Sequence, residues 1–97
     1  MLAEALTAKF RIEHTHPALQ GHFPDNPIVP AVLLVGFVAE TLVRAGKQLR
    51  GLPRMKFLRP VRAAECIEVK VRQLQSATGA IEVEIDGELV AKGEWLS

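Results

Sequence analysis

The chain changes hydrophobic period twice along its length. Residues 8 to 14, AKFRIEH, alternate Phe10 and Ile12 with Lys9, Arg11 and Glu13, and this period of two predicts a half-buried strand. Residues 15 to 30 hold four prolines, Gly21 and the Asp25–Asn26 pair, a composition that favours a loop. Pro30 suits the first turn of a helix, where a missing N–H costs nothing. That helix is predicted from about Ala31 to Leu49, with Gly51 and Pro53 ending it. Its first three turns are apolar on every side, so protein should wrap it. The period of two then returns. Residues 54 to 61, RMKFLRPV, form a short strand. Ile67, Val69 and Val71 alternate with Glu68, Lys70 and Arg72, and Ile81, Val83 and Ile85 with Glu82, Glu84 and Asp86. Gly79 is expected to turn that pair. Asp86–Gly87 predicts a type I′ hairpin, which needs positive φ at both positions, and ELVAKGEW completes it. The predicted order is strand, long loop, buried helix and a four-stranded antiparallel meander. One helix apolar on all faces beside one sheet implies an α+β domain whose curved sheet wraps the helix.

Size changes this picture by asking for a partner. Ninety-seven residues make one domain, residues 1 to 97, and a chain this short buries only roughly 60–65% of its unfolded surface. Cys66 is the only cysteine, so no intrachain disulfide forms, and no Cys/His cluster has zinc spacing. Self-association into at least a dimer is the expected further source of burial. No signal peptide is visible in MLAEALTAKF, and the longest apolar run, Pro30 to Ala39, is far short of the ~20 residues that cross a bilayer. A cytoplasmic protein with no membrane span is expected.

The net charge of +1 names no bulk partner, but its distribution is uneven. No acid lies between Glu40 and Glu65, whereas Arg44, Lys47, Arg50, Arg54, Lys56, Arg59 and Arg62 do, seven of the twelve Lys and Arg. This is either a solvated face or a dock for an acidic partner or a phosphate. The segment's only aromatic is Phe57, which leaves nucleic acid without a stacking platform.

One stretch carries a family likeness. GHFPDNPIVPAVLL resembles the Gly-His-Phe-Pro-x-x-Pro-(Ile/Leu)-x-Pro-Gly-Val-Leu signature of hotdog-fold 3-hydroxyacyl-acyl-carrier-protein dehydratases. MKFLRPVRAAECIEVKV is similar to the strand after the helix in those enzymes, and DGELVAKGEW to their last hairpin, so the likeness runs from about His16 to Trp95. The short length and the HPALQGHFP wording resemble a compact subgroup found in aryl-polyene-type and related accessory lipid pathways. The resemblance implies a hotdog fold, a homodimer or higher hotdog oligomer with sites at subunit interfaces, and no cofactor. Its implied substrate is a 3-hydroxyacyl thioester on acyl carrier protein or coenzyme A.

Dehydration removes a proton from C2 and protonates the hydroxyl leaving C3. By resemblance His22 is the base, and the imidazole suits that role because both protonation states are accessible near neutral pH. Pro24, Pro27 and Pro30 would fix its loop. Backbone N–H groups at Ala31 and Val32 would face the thioester carbonyl, where the helix dipole stabilises developing negative charge. Ala31 stands where the family has glycine, and adds a methyl group near the substrate. The family's acid, Glu or Asp fourteen residues after the histidine, falls on Gly36 here. A missing acid forfeits ~10²–10⁴-fold, which is roughly 3–5 kcal/mol of barrier.

Glu40 is the substitute, one turn further along the same helical face and ~6 Å away. Gly36 would leave space through which Glu40 or a water reaches. Desolvation among Phe37, Val38, Ala39 and Leu42 would favour the protonated carboxyl that an acid needs; the alternative is an ordinary surface glutamate. Phe23, Phe37 and Leu33 would line an acyl tunnel or simply pack the core. Acyl carrier proteins are acidic and their arm carries a phosphate, so Arg50, Arg54, Arg59 and Arg62 are docking candidates. No metal site is expected, His14 and His16 being strand-end and surface residues. Asp25 and Asn26 read as turn formers, Ser76 and Thr78 as turn residues, and Cys66 as a small apolar residue. Three functions remain: a dehydratase, a non-catalytic hotdog subunit that binds carrier protein or another hotdog chain (favoured by Gly36), and an acyl thioesterase using Glu40 and a water.

Overall fold

A computed structural model of the chain describes residues 6–13 and 28–97. Strand β1 (Leu6–Phe10) comes first, then helix α1 (Ala31–Arg44), then strands β2 (Gly51–Phe57), β3 (Ile67–Gln75), β4 (Thr78–Ile85) and β5 (Glu88–Leu96). The strands form one antiparallel five-stranded sheet in the order β1-β3-β4-β5-β2. The expected α+β class is thus observed. The expected four-stranded meander is not: only β3, β4 and β5 follow one another, and β2 lies beyond β5 at the far edge. Alternation along a strand reports which face is buried, but not which strand lies beside it.

Asp86 and Gly87 have φ of +50° and +82°, the positive pair a type I′ turn requires. The β3–β4 turn sits at Ser76–Ala77 rather than at Gly79. Gly79 is instead a strand residue covered by the Trp95 ring, and a side chain there would collide with that ring and with the Arg72 carbonyl. The first strand begins and ends earlier than its pattern predicts, although Ile12 beyond it is still buried.

Helix α1 stops at Arg44, not Leu49. Gly46 turns left-handed at φ +77°, the Lys47 amide donates to the Leu42 carbonyl (2.8 Å) and the Gly46 amide to that of Val43 (2.9 Å). This Schellman closure satisfies the last carbonyls and releases the chain. Gly51 and Pro53, read as helix breakers, belong to β2. Pro53 has no N–H to give a ladder, and it sits at an edge where the register slips between Gly51 and Arg54.

Leu34, Val38 and Leu42 of the helix share one buried cluster with Val69, Val71, Val83 and Trp95 of the sheet, and Thr41 is buried on the same side of the helix. Thr41 is tolerated there because its hydroxyl donates to the Phe37 carbonyl at 2.7 Å. The opposite stripe is bare: Val32 is 72% and Val43 60% exposed, and Ala31, Gly36 and Glu40 are exposed with them. A single chain therefore covers one side of a helix whose sequence is apolar all round. Among the described residues no helix is long and apolar enough to cross a membrane.

Candidate functional site

The start of α1 is fixed from below. The Val29 amide donates to the Val61 carbonyl at 2.7 Å, and Ile28 bridges Arg62, so the segment before Pro30 is stitched to the chain leaving β2. Pro30 occupies the N-cap with φ −59° and ψ 143° and no side-chain cap, and the first turn contains no acid. Among the described residues no side chain caps the first N–H groups of the helix, where the positive end of its dipole lies. Beside it lies a depression of about 540 Å³ walled by Val29, Pro30, Leu34, Phe57, Leu58 and Arg59. Phe57 and Leu58 are both partly open to solvent there. Ala31 is itself exposed, so its methyl group crowds no core atom. An apolar hollow with backbone donors at one end is suited to hold an acyl chain by its carbonyl.

His22 and Phe23 lie outside the described residues, as do His14, His16, Asp25 and Asn26. Among the described residues no group of three or more His, Cys, Asp or Glu could hold a metal ion.

Glu40 does stand one turn beyond Gly36 on the exposed stripe, and a Cβ at Gly36 would meet nothing within 4 Å among the described residues. The space the sequence asked for is there; the enclosure is not. Val38 and Leu42 are fully buried on the opposite side of the helix, and the Glu40 side chain is 52% exposed. Its neighbours in sequence are not the neighbours of its carboxylate, so the single chain does not desolvate it. One carboxylate oxygen accepts from Arg44 Nε at 3.4 Å. The Arg44 guanidinium in turn lies 5.2 Å over the Phe10 ring, which stacks on Phe37 at 4.4 Å between centroids and 10° between planes. Cation–π contact of this kind steadies the arginine.

The four candidate docking arginines are not brought together. Arg50 and Arg62 are exposed beyond opposite ends of β2, whose seven residues span roughly 20 Å. Arg54 lies on β2 and approaches Glu94 at 3.7 Å. Arg59 is consumed internally. It donates to both oxygens of Glu65 (3.2 and 3.1 Å), to Glu88 (3.3 Å) and to the Pro60 carbonyl (2.7 Å). Hydrogen bonding to Glu65 raises the Arg59 pKa above its ordinary value, and the same contact holds the Glu65 carboxyl below the usual range. Sequence reasoning missed this clasp, whose only signal was a pair of acids, Glu65 and Glu88, lying beyond the basic run.

Comparison with known proteins agrees with this architecture. The model of the ApeI-like family, the ApeI dehydratases, matches residues 2–94. The chain belongs to the ApeI-like dehydratase family. ApeI-like membership is joined by similarity to the 3-hydroxyacyl-[acyl-carrier-protein] dehydratase FabZ of Thermotoga petrophila, 32% identical over 104 residues, covering 96% of this chain and 76% of that protein. FabZ of Acetivibrio thermocellus is 34% identical over 92 residues, covering 80% of this chain and 63% of that one. Among solved structures, the dehydratase heterocomplex ApeI:P from Xenorhabdus doucetiae superposes with a TM-score of 0.76 at 20% identity, over 95% of this chain and 85% of that one. The (R)-hydratase from A. caviae involved in PHA biosynthesis gives 0.69 at 14%, over 98% and 93%. These likenesses establish that the ApeI-like chain has the hotdog fold.

Proposed function

We propose that the protein is a lyase that removes water from a 3-hydroxyacyl thioester carried by acyl carrier protein, or by coenzyme A. The thioester carbonyl is held by the Ala31 and Val32 N–H groups, with the acyl chain in the adjoining depression and against Phe23. His22 takes the C2 proton. Glu40, or a water reached through the space above Gly36, gives a proton to the departing C3 hydroxyl, so that one water and one double bond are formed. The observation that supports this reading best is the start of α1, uncapped among the described residues, beside an apolar hollow, the arrangement that favours an enolate oxygen over its ground-state carbonyl.

A second hotdog chain belongs to this proposal. The bare stripe of Val32, Gly36, Glu40 and Val43 and the outer edge of β2 are what a partner would cover, and covering them would desolvate Glu40. A copy of this chain serves that purpose; so does a different hotdog subunit lending a carboxylate over Gly36, in which case this chain alone is a non-catalytic carrier-binding subunit. Mass-spectrometric turnover of a 3-hydroxyacyl carrier protein tests the reading. Loss of one water, abolished by His22→Ala, supports it. Hydrolysis of the thioester with no dehydration would make the protein a thioesterase, and binding without turnover would make it the accessory subunit.

A further inference from the structure

We propose that the outer face of the sheet, around Arg54, Lys56, Arg72 and Lys92, is where an acidic helix of the carrier protein docks; this rests on the reading of the substrate as carrier-bound. The inner residues of β3, β4 and β5 are buried under α1, so their alternates face away from it. Across the strands these alternates align in two rows. One runs Arg72, Ala80, Glu94, Arg54, and the next runs Lys70, Glu82, Lys92, Lys56. In these two rows five cations meet two carboxylates, and the row beyond adds Lys9, Glu68 and Glu84.

The pairing is incomplete in a specific way. Lys70 is answered diagonally by Glu84 at 3.2 Å, and Arg54 loosely by Glu94. Lys56, Arg72 and Lys92 have no hydrogen-bonded or ion-paired side chain among the described residues. Lys56 stands directly opposite Lys92, and like charges so placed destabilise a sheet. A bound anionic surface would relieve that repulsion. Between Arg72 and Glu94, Ala80 offers only a methyl group, and the face is hollowed there by about 790 Å³, with Arg54, Lys56, Arg72 and Lys92 around it against Glu82 and Glu94.

The spacing fits a helix better than a small anion. Cations on neighbouring strands lie ~4.8 Å apart and those two residues apart on one strand ~6.6 Å. Carboxylates three or four apart on a helix are separated by ~5–6 Å, so one acidic face can meet several of these cations at once. The strand that presents Arg54 and Lys56 here also supplies Phe57 to the depression at the start of α1. Strand β2 thus joins this face to the proposed acyl site. A second copy is a poorer occupant, because two such faces stacked together would oppose cation to cation.

The test is calorimetric binding of purified acyl carrier protein at low and moderate salt. Wild type is compared with the Lys56→Glu/Lys92→Glu pair and, should that pair fold poorly, with Lys56→Gln/Lys92→Gln. Lys9→Glu, on the same face at the β1 edge, is the control. The expected result is binding at least tenfold weaker in the double variants, with a flatter salt dependence, and near-wild-type binding in the control. Unchanged affinity, an equal loss with Lys9→Glu, or a change of oligomeric state in place of a change in affinity would overturn the proposal. Wild-type turnover of a 3-hydroxyacyl carrier protein tests the dehydration reading separately, so absent turnover with charge-sensitive carrier binding overturns that reading and leaves the docking face standing.

Discussion

Two ion pairs of nearly the same length show how differently this chain uses a carboxylate. Arg59 and Glu65 meet at 3.1 Å with side chains 23% and 26% exposed, and Glu88 and a backbone carbonyl complete the shell. Arg44 and Glu40 meet at 3.4 Å with side chains 50% and 52% exposed, through one contact. The first pair is sheltered and bidentate, and it pins the segment between β2 and β3 beneath the start of α1. The second is a surface i,i+4 pair worth at most a few tenths of a kcal/mol, roughly 0.3–0.5. A carboxylate so lightly held can turn toward a substrate or a partner without unfolding anything. Distance alone does not separate structure from chemistry here. Exposure and the number of partners do.

The comparison can be broken first at Glu40. If it supplies the acid, Glu40→Gln should lower dehydration by ~10²–10⁴-fold while leaving the melting temperature nearly unchanged. A loss of stability with turnover intact would make it a structural residue after all. Gly36→Glu sharpens the point. Among the described residues nothing crowds position 36, and replacing glycine within a helix gains up to roughly 1 kcal/mol in propensity. The Gly36→Glu/Glu40→Gln double variant should therefore fold and recover at least tenfold in turnover over Glu40→Gln, measured by loss of water.

At the other pair the readout is stability. Arg59→Ala leaves Glu65 with one fewer charged donor and should cost about 1–3 kcal/mol in denaturant unfolding; if it leaves stability unaltered, the clasp is incidental. Its pH dependence has a definite sign. The folded pKa of Glu65 is lowered, so its contribution is present above the unfolded value of about 4.3 and is lost as pH falls through the folded one. The stability gap between wild type and Glu65→Gln should thus shrink in acid below about pH 4. The raised pKa of Arg59 acts only at alkaline extremes. The smallest effect is expected from Arg44→Ala, under about 1 kcal/mol in stability.

Much of the fold was legible because it is written locally. The alternation of β3 to β5, Pro30 before Ala31 and the Asp86–Gly87 turn each depend on residues a few positions apart. The helix end is not legible in the sequence, because Ala45, Lys47, Gln48 and Leu49 are all helix-compatible and only the left-handed Gly46 stops them. The place of β2 beside β5 joins residues 34 to 45 positions apart, and the Arg59–Glu88 contact residues 29 apart, beyond what any period conveys. At the candidate site the open space above Gly36 was legible from the helical repeat. The exposure of Glu40 was not, because a helix apolar on every side does not say which side the sheet takes and which it leaves for a partner.

The most direct test of the central claim is mass-spectrometric turnover of a 3-hydroxyacyl carrier protein by wild type and Glu40→Gln side by side. Loss of one water with wild type and its near disappearance with Glu40→Gln is the predicted result. Equal dehydration by both proteins would contradict a relocated acid at Glu40.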